Sequence, residues 1–326
     1  MSEAALLFTV VVPSRGAEEK LLALFDALAG QTLARERFEV VVGLDGAGST
    51  ARVEQAAVRL GATLVRVEPR SGPGAARNRA AARAAGEFLA FTEDDVTPAP
   101  DWLERAAARL AADPTLDVLE GATLKPGGRP VRMLGAEGAR YLPANLFVRR
   151  ALFTRLGGYC EAYFDRELSL YFREDSDLGF TLEEAGARIA SASEVRVVHP
   201  EEHPNFLDPL RWARRYEMDP LLARRHPRLF RDRIEVHRLG PLRVRRPIVR
   251  AAWACVLATV GALVTPVLGH GELALPLVML AAVAFLPIWA KWRFSPLRLP
   301  VALVTPFVLV DALVRGWVRV RTGVMS

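Results

Sequence analysis

From residue 6 to about residue 95 the chain alternates short apolar, β-branched runs with longer stretches of helical spacing. LLFTVVVP, FEVVVGLD, ATLVRVE and EFLAFTED are continuous apolar runs bounded by turn residues, the signature of buried strands. AEEKLLALFDALAGQ, STARVEQAAVRLG and GAARNRAAARAAG repeat their apolar residues every three or four positions and predict helices. The order βαβαβαβ predicts an α/β domain with a mostly parallel sheet flanked by helices, in which ligands bind outside the carboxyl ends of the strands. The polar tips PSRG, DGAGST, SGPGAARN and EDD then share one edge of that sheet.

The last third has a different pattern. Ala251 to Gly269 is uncharged for 19 residues and Leu273 to Ala290 for 18, each close to the roughly 20 that a membrane-spanning helix needs. They predict a membrane helical hairpin joined by the GHGE turn, and Pro266, Pro276 and Pro287 are better tolerated there than in a soluble helix. A buried soluble hairpin is the alternative. A third run, Leu299 to Val310, has 12 residues before Asp311 and carries Pro306; at that length it predicts an interfacial or re-entrant segment rather than a span.

Charge orients this hairpin. RVRRPIVR precedes it and KWRFSPLR follows it, while the turn between has neither Lys nor Arg, so the positive-inside rule places both flanks and the large N-terminal domain in the cytoplasm, at the plasma membrane. The chain has 326 residues and a net charge of +6. From Leu207 to Arg250 there are 13 arginines against five acidic residues, a local +8. Basic charge directly ahead of apolar segments fits anionic membrane lipids better than nucleic acid. The apolar N-terminal run follows acidic Glu3 and reads as a strand, not a signal peptide. Cys160 and Cys255 show no metal-ligand spacing and imply no disulfide framework. The expected layout is an α/β domain over 1–205, a basic juxtamembrane linker with amphipathic helices over 206–250, two membrane helices over 251–290 and an interfacial or re-entrant segment with a basic tail over 299–326.

Candidate chemistry sits on the shared sheet edge. Glu93, Asp94 and Asp95 crowd three carboxylates at a strand end, where they repel one another unless a cation lies between them. A hard divalent ion, Mg²⁺ or Mn²⁺, accepts such ligands together with phosphate oxygens; a solvated acidic turn is the alternative. In extended chain Glu93 and Asp95 point one way and Asp94 the other. SGPGAARN opens a helix whose amides can face phosphate, with Arg77 as an added cation. Asp45, ending the second strand, can accept hydrogen bonds from a nucleoside or simply form the DGAG turn.

Taken in order, VVVPSRG, VVVGLDGAGST, GPGAARNRA, FLAFTEDDVTPAPDWL, LPANLFVRRALFTRLGGY and REDSDLGFTLEEAGARI resemble the family 2 glycosyltransferases of the GT-A fold over roughly residues 5 to 200. The resemblance implies that EDD stands for the family's DxD motif, with Asp95 and Glu93 as metal ligands and His199 of VRVVHP completing the site. It implies donor contacts from Pro13, Ser14, Asp45, Arg77, Asn78 and Asp94, and a nucleotide-sugar as the donor. REDSDLG resembles the family's ED motif, which makes Asp175 the base that takes the proton of the acceptor hydroxyl, with Glu174 and Asn145 on the acceptor side. Departures are visible: Glu93 replaces the first Asp of DxD, Gly46 follows Asp45 where a second acid is common, and Cys160 follows GGY where an acid is common.

The expected activity is inverting, metal-dependent transfer of a sugar from a nucleotide-diphosphate donor to a lipid-linked or membrane-proximal glycan acceptor. A nucleotidyltransferase acting on a sugar phosphate, or a non-catalytic membrane scaffold, are the other classes. Processive relatives carry QxxRW; here DPLRW keeps Arg211 and Trp212, placed on the acceptor side, but has Asp208 for Gln. With only two membrane helices, addition of a single sugar is expected.

Overall fold

The computed structural model describes residues 6–46, 48–129, 142–201, 205–239 and 242–325. The chain divides into two compact units, Met1–Glu202 and His203–Ser326.

The first unit opens with β1 (Phe8–Ser14), α1 (Glu18–Ala29), β2 (Phe38–Asp45), α2 (Ala51–Leu60), β3 (Ala62–Val67), α3 (Gly72–Ala81) and β4 (Phe88–Phe91). It continues with β5 (Thr97–Pro98), α4 (Trp102–Ala112), β6 (Val118–Leu124), β7 (Leu146–Arg149), α5 (Arg150–Arg155), β8 (Phe164–Asp165), β9 (Leu170–Tyr171), α6 (Glu174–Glu184) and β10 (Ile189–Val198). One sheet runs β3-β2-β1-β4-β7-β6-β10-β5. The first four strands are mutually parallel, as the alternating pattern requires. Beyond β4, β7 is antiparallel to both its neighbours and β5 is antiparallel to β10.

Period-2 alternation gives this sheet two apolar faces. Phe8, Val10 and Val12 of β1 with Val40 and Val42 of β2 pack under Leu21, Leu24 and Leu28 of α1, Val53 of α2 and Trp102 of α4. Val11, Val41, Leu89 and Phe91 point the other way, against Ala80 of α3, Leu152 and Phe153 of α5 and Leu178 and Leu182 of α6. α3 lies tight on the sheet: a Cβ on Gly43 would stand 2.3 Å from the Ala76 carbonyl oxygen. That close approach sets the next residue, Arg77, under the strand ends.

The antiparallel half is held by one buried amide. β6 and β10 lose register between Ala192 and Arg196, a bulge that leaves carbonyls outside the ladder. Asn145 Nδ2 donates to the carbonyls of Val195, inside that bulge, and of Ala122, at 2.9 and 3.0 Å, while its Oδ1 accepts from Trp102 Nε1 at 2.8 Å. The sequence placed Asn145 beside an acceptor sugar; both ends of its amide are instead engaged in the scaffold, and the residue is 1% exposed.

The second unit comprises α7 (Asp208–Arg215), α8 (Asp219–Arg225), α9 (Pro227–Leu229), β11 (Val236–Leu239), β12 (Leu242–Arg245), α10 (Pro247–Val264), α11 (Ala274–Lys291) and α12 (Leu299–Arg321). α10 and α11 form the expected apolar hairpin. Three segments, Pro247–Val264, Gly271–Lys291 and Pro296–Arg321, are helices long and apolar enough to cross a membrane. The third differs from its sequence reading in length: α12 runs unbroken through Asp311, where the apolar run was expected to stop. The carboxylate does not end the helix because Arg214 and Arg315 both pair with it.

Asn145→Ala should destabilise the first unit rather than act on an acceptor, because Trp102 Nε1 and two carbonyls lose their partner at about 1–3 kcal/mol for each group left buried and unpaired. Chemical denaturation checks this; unchanged stability with a raised acceptor KM would return Asn145 to the acceptor side.

Candidate active site

The carboxyl-edge tips converge. β4 ends at Phe91 and the chain turns through Glu93–Asp95 into β5, whose antiparallel pairing with Val197–Val198 brings His199 alongside. Glu93, Asp95 and His199 each offer a ligand atom, all within 4.8 Å of one another. Asp94 lies in this turn rather than in extended chain, and it accepts a 2.6 Å bond from Ser14 Oγ at the end of β1. Burial raises the Asp94 carboxyl above its ordinary range, against the Ser14 bond. Pro13 precedes Ser14, buried in β1 opposite Gly43.

Cations already attend this triplet. Lys20 Nζ, in the first turns of α1, lies 2.9 Å from Asp95 Oδ2, and this bond holds the lysine above its usual pKa. His199 Nδ1 sits 2.9 Å from the Pro200 carbonyl, which turns Nε2 toward Glu93 Oε2 at 3.6 Å. The Glu93 contact raises the imidazole pKa to about 9. Two carboxylates and one imidazole nitrogen form an oxygen-rich donor set suited to Mn²⁺ or Mg²⁺.

Arg77 joins this triplet to the second acidic cluster. Its side chain is 2% exposed, its Nη2 donates to Glu93 Oε1 at 3.2 Å and its Nη1 lies 4.0 Å from Glu174 Oε1. The guanidinium also lies over the Tyr159 ring, 5.2 Å from its centroid. Nε and Nη1 make no hydrogen bond among the described residues. Glu174 opens α6 after Arg173, whose φ of 76° forces a sharp entry. Desolvation and the charge of Asp175 push Glu174 up to about 7, and desolvation raises Asp175 as well. Asp175 Oδ1 accepts from the Ser176 amide at 2.6 Å and its hydroxyl at 3.3 Å, while Oδ2 takes no hydrogen bond among the described residues. Asp177 accepts from Tyr163 at 2.9 Å and belongs to the helix start.

Other predicted residues are committed to the frame. Asp45, 4% exposed, accepts from the Ser71 and Gly72 amides at 2.7 and 3.0 Å, anchoring the start of α3. Asn78 donates to the Tyr159 carbonyl at 2.8 Å and accepts from its amide at 2.9 Å, tying α3 to the GGY loop. Arg211 and Trp212 lie in the second unit, so nothing in the first unit's geometry bears on them. Arg211 is exposed, and Trp212 packs edge-on against Tyr216 and Trp292 with Lys291 Nζ 4.4 Å above its ring. Sequence reasoning missed Lys20 and Tyr159. Lys20 carried a signal, being one of three lysines against 40 arginines.

Metal loading should require His199 to release its proton, so Mn²⁺ affinity should rise with pH, by up to about tenfold per unit, until about pH 9. Lys20→Met should tighten Mn²⁺ by about two- to fivefold, the worth of a partly exposed ion pair. Titration calorimetry reads both; pH-independent binding would remove His199 from the ligand set.

Residues 9–164 match the family described as Glycosyl transferase family 2; the match ends before Glu174 and Asp175. A pre-mycofactocin glycosyltransferase of Mycobacterium tuberculosis is 29% identical over 212 residues, 59% of this chain and 42% of the relative. The chain thus spans about two-fifths of the length of the curated relatives it matches. Among solved structures, S. aureus TarS 1-349 in complex with UDP superposes with a TM-score of 0.52 at 20% identity, covering 97% of this chain and 92% of that one. Mannosyltransferase PcManGT from Pyrobaculum calidifontis, in complex with GDP-Man and Mn²⁺, gives 0.51 at 20% identity over 96% of this chain and 86% of its own. Residues 9–164 thus carry the sequence pattern of glycosyl transferase family 2, and the first unit has a GT-A-like fold.

Proposed function

We propose that the chain transfers a single sugar, with inversion, from a nucleotide-diphosphate donor to a hydroxyl of a lipid-linked or membrane-proximal acceptor, on the cytoplasmic face of the plasma membrane. The observation that carries this reading is the bridge through Arg77, which brings the Glu93–Asp95–His199 cluster and the Glu174–Asp175 pair into one site. The donor chemistry of the relatives supports it, since the TarS and PcManGT structures hold UDP and GDP-Man.

Each residue then has a physical task. Glu93, Asp95 and His199 would hold a divalent ion, which when bound supplies Lewis-acid stabilisation to the departing diphosphate. Arg77, with Nε and Nη1 unspent, offers hydrogen bonds and charge to the anionic donor. Asp175 takes the acceptor's proton on Oδ2 as the hydroxyl oxygen bonds to the anomeric carbon and the bond from that carbon to the phosphate oxygen breaks. Burial beside Glu174 raises the carboxylate's basicity, which strengthens it as a general base.

With detergent-solubilised protein and a panel of nucleotide-sugars, Mn²⁺-dependent release of a nucleoside diphosphate is expected; pyrophosphate would mark a nucleotidyltransferase, and no turnover with any donor a scaffold. Asp175→Asn should lower turnover by about 10² or more with donor binding nearly unchanged, whereas Asp95→Ala should abolish the metal-dependent part of donor binding in a folded protein. Because the base must be ionised, activity should fall as pH drops through the titration of Asp175, which burial raises above the ordinary carboxylate range. A product that retains the donor's anomeric configuration would exclude the single displacement.

A further inference from the structure

α12 has the length and composition of a membrane span, yet its partners place both of its ends at the same end of the hairpin. Its first end follows α11 directly through Pro296–Arg298, and α11 ends in the basic KWRFSPLR flank. Its other end is held by α8 and by the turn that joins α7 to α8. Arg319 Nη1 pairs with Glu217 at 2.7 Å and Arg224 Nη1 donates to the Val320 carbonyl at 2.8 Å. A Cβ on Gly316 would stand 2.1 Å from the Glu217 carbonyl oxygen, so helix and turn touch backbone to backbone. The same α8 is tied to the start of α10, because buried Asp219 pairs with Arg246, the residue before α10 begins. Arg246 belongs to the other basic flank.

The packing along the helix agrees. Leu299, Ala302, Leu309, Val310 and Leu313 of α12 share one apolar cluster with Ala213 and Tyr216, with Val249, Ala252 and Cys255 from the first half of α10, and with Phe285 and Ile288 from the last half of α11. Those halves adjoin the basic flanks. At the far end of the hairpin, Leu263, Val264, Leu275 and Met279 stay exposed. A 23-residue helix is about 35 Å long, and had it run alongside the hairpin its second half would cover that far end. It covers the α7–α8 layer instead.

We infer that α12 lies in the plane of the membrane at the hairpin's basic end, docked on α7 and α8 by one face and seated with the other in the boundary between headgroups and acyl chains. The outward face is apolar: Leu303, Phe307, Val314, Trp317 and Val318 are between 39% and 53% exposed and recur at helical spacing. Asp311, on the same side, is neutralised by Arg214 and Arg315. At the end of the stripe Arg321 lies 3.7 Å over the Trp317 ring, an aromatic and a cation suited to headgroup depth. This explains why α12 resembles a span in composition: it needs one apolar face for protein and another for lipid.

Nitroxide depth measurements test the inference on the full chain reconstituted in vesicles containing phosphatidylglycerol, with Cys160→Ser and Cys255→Ala as background. Labels placed singly at Leu303, Phe307, Val314 and Val318, all exposed, should report one common, shallow depth, roughly 5–10 Å into the boundary, while a label at Leu263 reports a different one. A depth that passes through a maximum between Leu303 and Val318 would make α12 a span and overturn the inference. So would full water accessibility of all four labels, or loss of lipid contact with spin–spin broadening, which would mean a second copy covers the face. Independently, Thr322→Cys should react with a membrane-impermeant maleimide from the same side as Arg211→Cys; reaction from opposite sides would also overturn it.

Discussion

A guanidinium that is 2% exposed cannot stay buried without anions, and carboxylates that are close together cannot stay ionised without a cation. Arg77 meets both conditions at once. It pairs with Glu93 on one side and Glu174 on the other, and it gets there because α3 presses onto β2 at Gly43. The strand edge, the entry to α6 and the GGY loop are mutually positioned by that single charge, with Tyr159 supplying its ring face. Removal of Arg77 would leave the two acidic clusters facing each other with no cation between them, at about 3–5 kcal/mol for the buried Glu174 partner.

The charge balance also sets the character of the site before any ligand arrives. Lys20 and protonated His199 compensate Asp95 and Glu93 where a divalent ion would do so. Binding a metal is therefore an exchange of cations, and its affinity is a difference between two similar electrostatic energies. Glu174 and Asp175 have no comparable exposed partner. Burial keeps the proton affinity of both high, with the charge of Asp175 adding to that of Glu174, which is the property that a base for a hydroxyl requires.

The parallel half of the sheet was readable because its strands are continuous apolar runs and their tips carry the turn residues. Extended geometry predicted that Asp94 would oppose Glu93 and Asp95, but the triplet forms a turn, and His199 was singled out by the family resemblance rather than by geometry. Asp45, Asn78 and Asn145 could not be read in the same way. Each is a polar residue at a motif position, and whether it faces a ligand or the frame depends on backbone groups contributed by residues far off in sequence: the Ser71 and Gly72 amides, the Tyr159 peptide, the bulge at Val195. A motif records that such a side chain is present, not which hydrogen bonds consume it. Lys20 was missed for the opposite reason: its rarity marks it, but a lysine in an amphipathic helix has no evident task until the strand tip beside it is known.

The same limit governs the membrane segments. Hydropathy counts apolar residues around a whole helix, so it cannot separate a helix with lipid on every side from one with lipid on one face and protein on the other. α11 lies nearer the first kind: away from its contact with α10 its apolar residues stay exposed, at Leu275, Val278, Met279 and Val283. α12 is of the second kind, and what distinguishes it is polar: Gly316 against the Glu217 carbonyl, Arg319 on Glu217, Arg224 on the Val320 carbonyl. Ionised partners such as these are expensive in hydrocarbon and stable where water and headgroups reach them. Charges that would be a defect in a spanning helix are therefore what fix α12 to the basic layer beneath it.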